Sequence, residues 1–341
     1  MSKFFSILSI ALLVLTASLK AQTPDSVKVF VDSALNLMEH NSVFTQKVNW
    51  KQVRNTVQQM TANARTYKEV YPALRYAFNQ LGDKHGWLVL DGEEYRNPSF
   101  PPDTNRLNAD IKDVISKGPR LYNRTIDNNY AYISIPFFGG QSPAECRVYA
   151  QRIQDSLCKN ISPTTKGIII DLRMNAGGNI YPMIAGIANV LGEGLFNIGL
   201  DGAGKETSRS AIQQGALAWY DSIPLKPART CGDLSKLPVT VIIGPVTGSA
   251  GECIAIAFRG RPHTKLVGEN TGGYVTANDG RLLPGKDNGM VLAMNYTKDR
   301  TGKAYYDCVA PDIKVVGGDH FFEPASDEKI QAAVKWLKKQ R

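Results

Sequence analysis

The chain has few of the residues that announce a metal or redox centre. Its 341 residues include four histidines and five cysteines, with no Cys-x-x-Cys and no His-Glu-x-x-His. Zinc sites of the common spacings and thioredoxin-type chemistry are therefore not expected, and no metal or other cofactor is called for. The Gly-x-Gly-x-x-Gly and Walker patterns are missing too. The nearest string, Asn175-Ala176-Gly177-Gly178-Asn179, has the wrong spacing and no following lysine, which argues against nucleotide binding. The net charge of +9 comes from dispersed lysines and arginines rather than a basic stripe interleaved with aromatics, so nucleic acid is not an expected partner. The mild cluster Lys335, Lys338, Lys339 and Arg341 reads as the solvated C-terminus of a helix.

Long apolar runs are also scarce. The run from Phe4 to Ala17, after Lys3, is too short and wrongly flanked for a lasting membrane span. It reads as a signal peptide ending at Ala21, without a nearby cysteine for lipid attachment. An exported protein, periplasmic or secreted, is expected. Removal of Lys3 and Lys20 would lower the net charge from +9 to +7. Export allows one or two disulfides, whose pairing the sequence does not give. Cys253, in an apolar helix, reads as a buried free thiol, and a disulfide at Cys308 would stiffen its neighbour Asp307. Nothing in the sequence addresses oligomeric state.

What is present is organised. Residues 22–82 carry helical periodicity at Val27, Val31 and Leu35, at Val53 and Val57, and at Leu74 and Leu81. Asn49 starts the second of these helices, and Pro72 is placed in the first turn of the third. Residues 85–99 read as a strand or hairpin, followed by a proline-rich loop around Pro98, Pro101 and Pro102. From Tyr130 onward strands and helices alternate: strand 130–135, helix 144–158, strand 167–172, helix 180–192, strand 239–243, helix 250–259 and strand 265–268. A helix over 327–340 closes the chain. This order predicts an α/β core, α+β overall with the N-terminal helical subdomain.

Ser249 lies where the strand Val239–Ile243 breaks into a helix. Gly248 and Gly251 flank the hydroxyl, and Glu252 completes a Ser-x-x-Glu pattern at the helix N-terminus. Unpaired N–H groups at such a terminus can face a developing anion. Alone, this pattern is more often that of a helix cap. Three further strings give it context: Asp171-Leu172-Arg173-Met174-Asn175-Ala176-Gly177-Gly178, Gly268-Glu269-Asn270-Thr271-Gly272-Gly273, and Pro311-Asp312-Ile313. In this order the four strings resemble the S41 peptidase family, which includes the C-terminal (tail-specific) processing proteases, the tricorn core protease and the retinoid-binding-protein repeats. The resemblance spans roughly residues 25–338 and implies a spiral ClpP/crotonase-like core over residues 83–341. The segment between the proline-rich loop and Asp127 is too short for the PDZ domain that processing proteases usually carry.

The resemblance also implies the site. Processing proteases of the Ser-Lys type carry lysine where this chain has Tyr274, a poor base at neutral pH. The tricorn-like branch instead uses a histidine after the N-terminal helices and an acid before the Pro-Asp strand. Here these positions match His85 and Asp307, the latter an aspartate where that branch generally has glutamate. The implied constellation is Ser249 as nucleophile, His85 as general base and Asp307 as the group orienting the imidazole, with Asp83 a competing orienter. The oxyanion hole would use the N–H of Ala250 and that of Gly177, with Gly178 the second choice. The expected function is an exported serine peptidase acting on peptides or proteins through an acyl-enzyme. The alternative is a catalytically inactive binding protein that keeps the S41 fold to hold a peptide or a hydrophobic ligand.

Overall fold

Three helices open the part of the chain described by the computed structural model, which covers residues 23–219 and 225–340. The expected leader, Met1–Ala21, lies outside the described residues. The helices are Asp25–Asn41, Trp50–Thr61 and Tyr67–Leu81. In the first, Val27, Phe30, Val31, Ala34, Leu35 and Met38 make the buried face at helical spacing. Asn49 and Thr66 cap the second and third by accepting the Gln52 and Glu69 N–H groups. The third helix starts earlier than expected, so Pro72 falls inside it rather than in its first turn. These helices share a core with Leu88, Leu90, Leu283, Met290 and Leu292 of a sheet.

A six-stranded sheet forms the centre of the remaining chain. Its order is 313–314, 264–268, 239–243, 167–171, 130–134 and 122–126. Neighbours are parallel except the last pair. The strands are covered on both sides, which explains their unbroken apolar runs. Ile168, Ile170, Val239, Val241 and Ile243 face the helices Pro143–Cys158, Ile180–Gly186 and Ala250–Ala257. Ile169, Ile242 and Val267 face the closing helix Glu328–Leu337. The helix expected over 180–192 is interrupted at Ile187 and resumes as Ala188–Leu191.

The α+β character comes from a second, antiparallel sheet of eight strands, of which the sequence showed only the hairpin expected over residues 85–99. Its long strand Gly289–Asp299 pairs with Trp87–Leu90, Ala277–Leu282, Gly194–Leu200 and Ala304–Tyr305. It thereby joins the segment after His85 to the segment after Tyr274.

Arg173, at the end of the strand Gly167–Asp171, is almost wholly buried among Asp171, Asp319 and Asp327, with contacts of 2.6, 2.8 and 2.7 Å. Lys329 continues the cluster to Asp319 and Glu269 at 2.7 and 2.8 Å. The network ties residues 317–329 to the strand ends that carry the turns after Asp171 and Gly268, since each buried cation requires its carboxylates. Cys158 and Cys231 form a disulfide across 73 residues, with Cα atoms 5.5 Å apart. In the chain-entropy picture a loop of that length contributes about 4 kcal/mol. Cys253 is buried and free as expected. Cys308 is also free, so the bridge considered there is not formed. Among the described residues no helix is long and apolar enough to cross a membrane.

Candidate active site

The strands Gly167–Asp171 and Val239–Ile243 run parallel in register, so the turns that follow them emerge side by side at one edge of the sheet. The Gly248 N–H donates to the Asn175 carbonyl at 2.9 Å, joining the serine turn to the glycine turn. Thr247 donates its hydroxyl to the Leu172 carbonyl at 2.8 Å, and its own carbonyl accepts the Gly272 N–H at 2.8 Å. Three separated strings of sequence are thereby held as one unit.

Ser249 has φ 51° and ψ −115°, a conformation that an L residue adopts only under constraint. Such a turn between strand and helix pushes a side chain outward, as nucleophile turns do. Its side chain and that of Glu252 form the capping box that the Ser-x-x-Glu spacing implies. Gly177 packs directly against the serine: a Cβ there would lie 2.8 Å from Ser249 Cβ and 3.3 Å from Oγ. Gly178, at φ 95°, has equally little room, because a Cβ would meet the Phe138 carbonyl at 2.2 Å.

The two glycines differ as donors. The Gly177 N–H, the first choice for an oxyanion donor, donates to Asn175 Oδ1 at 3.0 Å. The Gly178 and Ala250 N–H groups have no hydrogen-bond partner among the described residues; Ala250 follows Ser249 in the chain, and Gly178 follows the glycine that packs against it.

Glu252 holds the next loop in place. Its buried carboxylate accepts the N–H groups of Ser249, Gly273 and Tyr274 at 3.0, 2.8 and 2.7 Å, and also the Thr271 hydroxyl. Burial pushes its pKa up to about 7, while these four donors pull the other way.

His85 is buried, and its ring lies against that of Tyr274, with centroids 5.4 Å apart. The Tyr274 ring also borders the serine turn, since a Cβ on Gly248 would lie 3.5 Å from it. Burial lowers the imidazole pKa to about 4. The charges of Arg96 and Lys84 act in the same sense, and a hydrogen bond to the Thr276 backbone acts against them. Nδ1 lies 2.7 Å from Thr276 Oγ1, which in turn lies 3.2 Å from Asn278 Oδ1.

Neither expected acid reaches the imidazole. Asp307 is exposed and pairs with Lys84 at 2.9 Å. The adjacent Lys84 ammonium takes the carboxylate that the resemblance assigned to His85. Asp83 is buried, but it accepts backbone N–H groups of His85, Gly86 and Ala293 at 2.8, 2.8 and 3.1 Å. It fixes the main chain around His85, not the ring. Thr276 and Asn278 lie in no motif, and no signal in the sequence singled them out.

A cleft of about 480 Å³ adjoins the site, lined by Arg106, Glu269, Gly272, Gly273, Asp307 and Cys308 among others. A larger groove of about 830 Å³ lies by Lys166, Pro238 and His263, at the opposite ends of the parallel strands.

Known proteins resemble this chain over nearly its whole length. It is 27% identical over 331 residues to a nisin-resistance protein of Lactococcus lactis subsp. lactis, covering 93% of this chain and 89% of that protein. A lipoprotein from Streptococcus agalactiae superposes with a TM-score of 0.69 at 22% identity, over 98% of this chain and 100% of the other. The photosystem II D1 C-terminal processing protease superposes with a TM-score of 0.59 at 14% identity, over 86% and 94%. The family model for Peptidase family S41 matches residues 129–315, more than half of the chain and inclusive of Ser249 and both turns beside it. The chain belongs to peptidase family S41.

Proposed function

We propose that the protein is an exported serine peptidase in which Ser249 is the nucleophile and His85 the general base. The observation that carries this reading is the strained Ser249 at the helix N-terminus, with the unpaired N–H of Ala250 next to it in the chain and that of Gly178 one residue beyond the Gly177 that packs against it. In the reaction, Oγ attacks the peptide carbonyl carbon while the imidazole nitrogen remote from Thr276 takes the hydroxyl proton. The carbonyl oxygen becomes an oxyanion held by the two N–H groups. The C–N bond then breaks as the imidazolium returns the proton to the leaving amine. Water, deprotonated by the same nitrogen, attacks the ester; the acid product leaves and Ser249 regains its proton.

The disulfide Cys158–Cys231 supports export, because such bonds persist in oxidising compartments. The similarity to a nisin-resistance protein makes nisin one peptide to include among substrates. Labelling with a fluorophosphonate probe, with the modified residue mapped, tests the reading. Modification at Ser249 and its loss in Ser249→Ala are expected. A folded protein without labelling or peptide cleavage at any pH would favour the binding protein instead.

A further inference from the structure

The direction of each hydrogen bond behind His85 can be worked out from one fixed point. The His85 carbonyl oxygen can only accept, and it lies 3.0 Å from Asn278 Nδ2. That contact sets the amide orientation and leaves Asn278 Oδ1, an acceptor, facing Thr276 Oγ1 at 3.2 Å. The Thr276 hydroxyl must therefore give its single proton to Asn278. Its remaining capacity toward His85 is a lone pair, so Nδ1, at 2.7 Å, must be the donor. A neutral imidazole that donates from Nδ1 carries its lone pair on Nε2.

We propose that Thr276 and Asn278 are positioning residues that fix the Nδ1–H tautomer of His85, the task given to a carboxylate in Ser-His-Asp sites. The inference rests on the reading of His85 as base, and deepens it. Thr276 is buried, and its loop is held at the other end by the Tyr274 N–H on Glu252. The relay therefore ties imidazole orientation to the same carboxylate that holds the serine turn. A neutral relay orients the ring but supplies no negative charge to stabilise an imidazolium. It suits a histidine kept neutral by burial and by the positive Arg96 and Lys84 nearby.

The test combines a readout independent of activity with kinetics. In full-length protein with ¹⁵N-labelled histidine, the His85 nitrogens at neutral pH should show protonated Nδ1 and unprotonated Nε2. Thr276→Val keeps the side-chain shape but removes the acceptor. It should mix the tautomers and lower kcat on the order of 10²-fold, with KM changed less than about twofold. Asn278→Ala frees the Thr276 hydroxyl to donate toward Nδ1, and should likewise populate the Nε2–H form. Thr276→Ser restores the hydroxyl and should recover both the tautomer and most of kcat. An Nε2–H signal in the unmodified protein would overturn the inference, as would Thr276→Val with native tautomer and full kcat. Should Thr276→Val fail to fold, the unmodified spectrum together with Thr276→Ser and Asn278→Ala still decides. If Ser249 does not label while His85 is Nδ1–H, the peptidase reading fails but the relay stands.

Discussion

The ammonium of Lys84 lies 2.9 Å from a carboxylate oxygen of Asp307, and the acid that family resemblance pairs with His85 is instead held by that histidine's chain neighbour. Asp307 is 79% exposed on its side chain, so water screens the pair and it contributes little to stability.

Asp307→Asn is therefore expected to be mild, lowering kcat of peptide hydrolysis by less than about tenfold, because it removes an exposed ion pair and no bond to the imidazole. His85→Ala should cost on the order of 10³-fold or more. Steady-state kinetics on one peptide would compare them, and an Asp307→Asn enzyme as impaired as His85→Ala would return the orienting role to Asp307.

Gly178→Ala should abolish probe labelling. Its Cβ would sit 2.2 Å from the Phe138 carbonyl oxygen at a φ of 95°, so the donor N–H must move away from Ser249. Gly177→Ala should act on the serine itself, whose Cβ would be 2.8 Å from the new methyl. Each strained position is expected to cost about 1–3 kcal/mol of stability, readable as a lower denaturation midpoint.

Glu252→Gln replaces an acceptor by an NH2 group that must face one of four donors. A loss of about 1–3 kcal/mol and a steep fall in labelling are expected. The pH dependence gives a sharper check. The Glu252 pKa is raised from 4.5 to about 7, so the folded chain holds this proton more tightly than the unfolded one. Its contribution is full below pH 4.5 and is lost as pH rises toward 7. That declining segment should be missing from the stability curve of Glu252→Gln.

His85 works in the opposite sense. Its pKa falls from 6.5 to about 4, so between these values the unfolded chain binds the proton that the folded chain refuses. Its contribution is present above pH 6.5 and is lost as pH falls toward 4. The groups around the ring are Arg96, Lys84, Tyr274, Thr276 and the Asp83 carboxylate on its backbone. Because the base is neutral in the folded enzyme, the acid limb of kcat/KM should lie near pH 4 rather than at an ordinary histidine value. A limb near 6.5 would contradict this environment.

Arg173→Met should destabilise by about 3–5 kcal/mol, since it leaves the buried carboxylates Asp171, Asp319 and Asp327 without their shared cation. Chemical denaturation measures this directly. Labelling at Ser249 should fall in parallel with the folded fraction, as Arg173 touches none of the reacting groups.

The parallel strands were legible because they are buried on both sides: Gly167–Asp171 and Val239–Ile243 are nearly continuous apolar runs, each followed by glycine-rich turns. Ser249, Ala250 and Gly178 follow from those local strings. Beyond the hairpin over residues 85–99, the antiparallel sheet was hidden. Ala277–Leu282 is polar and largely exposed, and Gly289–Asp299 meets strands on both sides without a clean alternation.

The same distinction runs through the site. The turn that carries Ser249 is local, since its φ, its flanking glycines and its helix cap belong to a few consecutive residues, and the sequence determined its shape. The orientation of an imidazole is not local. His85 and Thr276 are 191 residues apart and meet only because the strands beginning at Trp87 and Ala277 both pair with Gly289–Asp299. Asp307, placed by motif, was drawn off by Lys84, a contact across 223 residues. Which polar group reaches a buried ring depends on sheet register and on competing charges, and only the tertiary structure decided it.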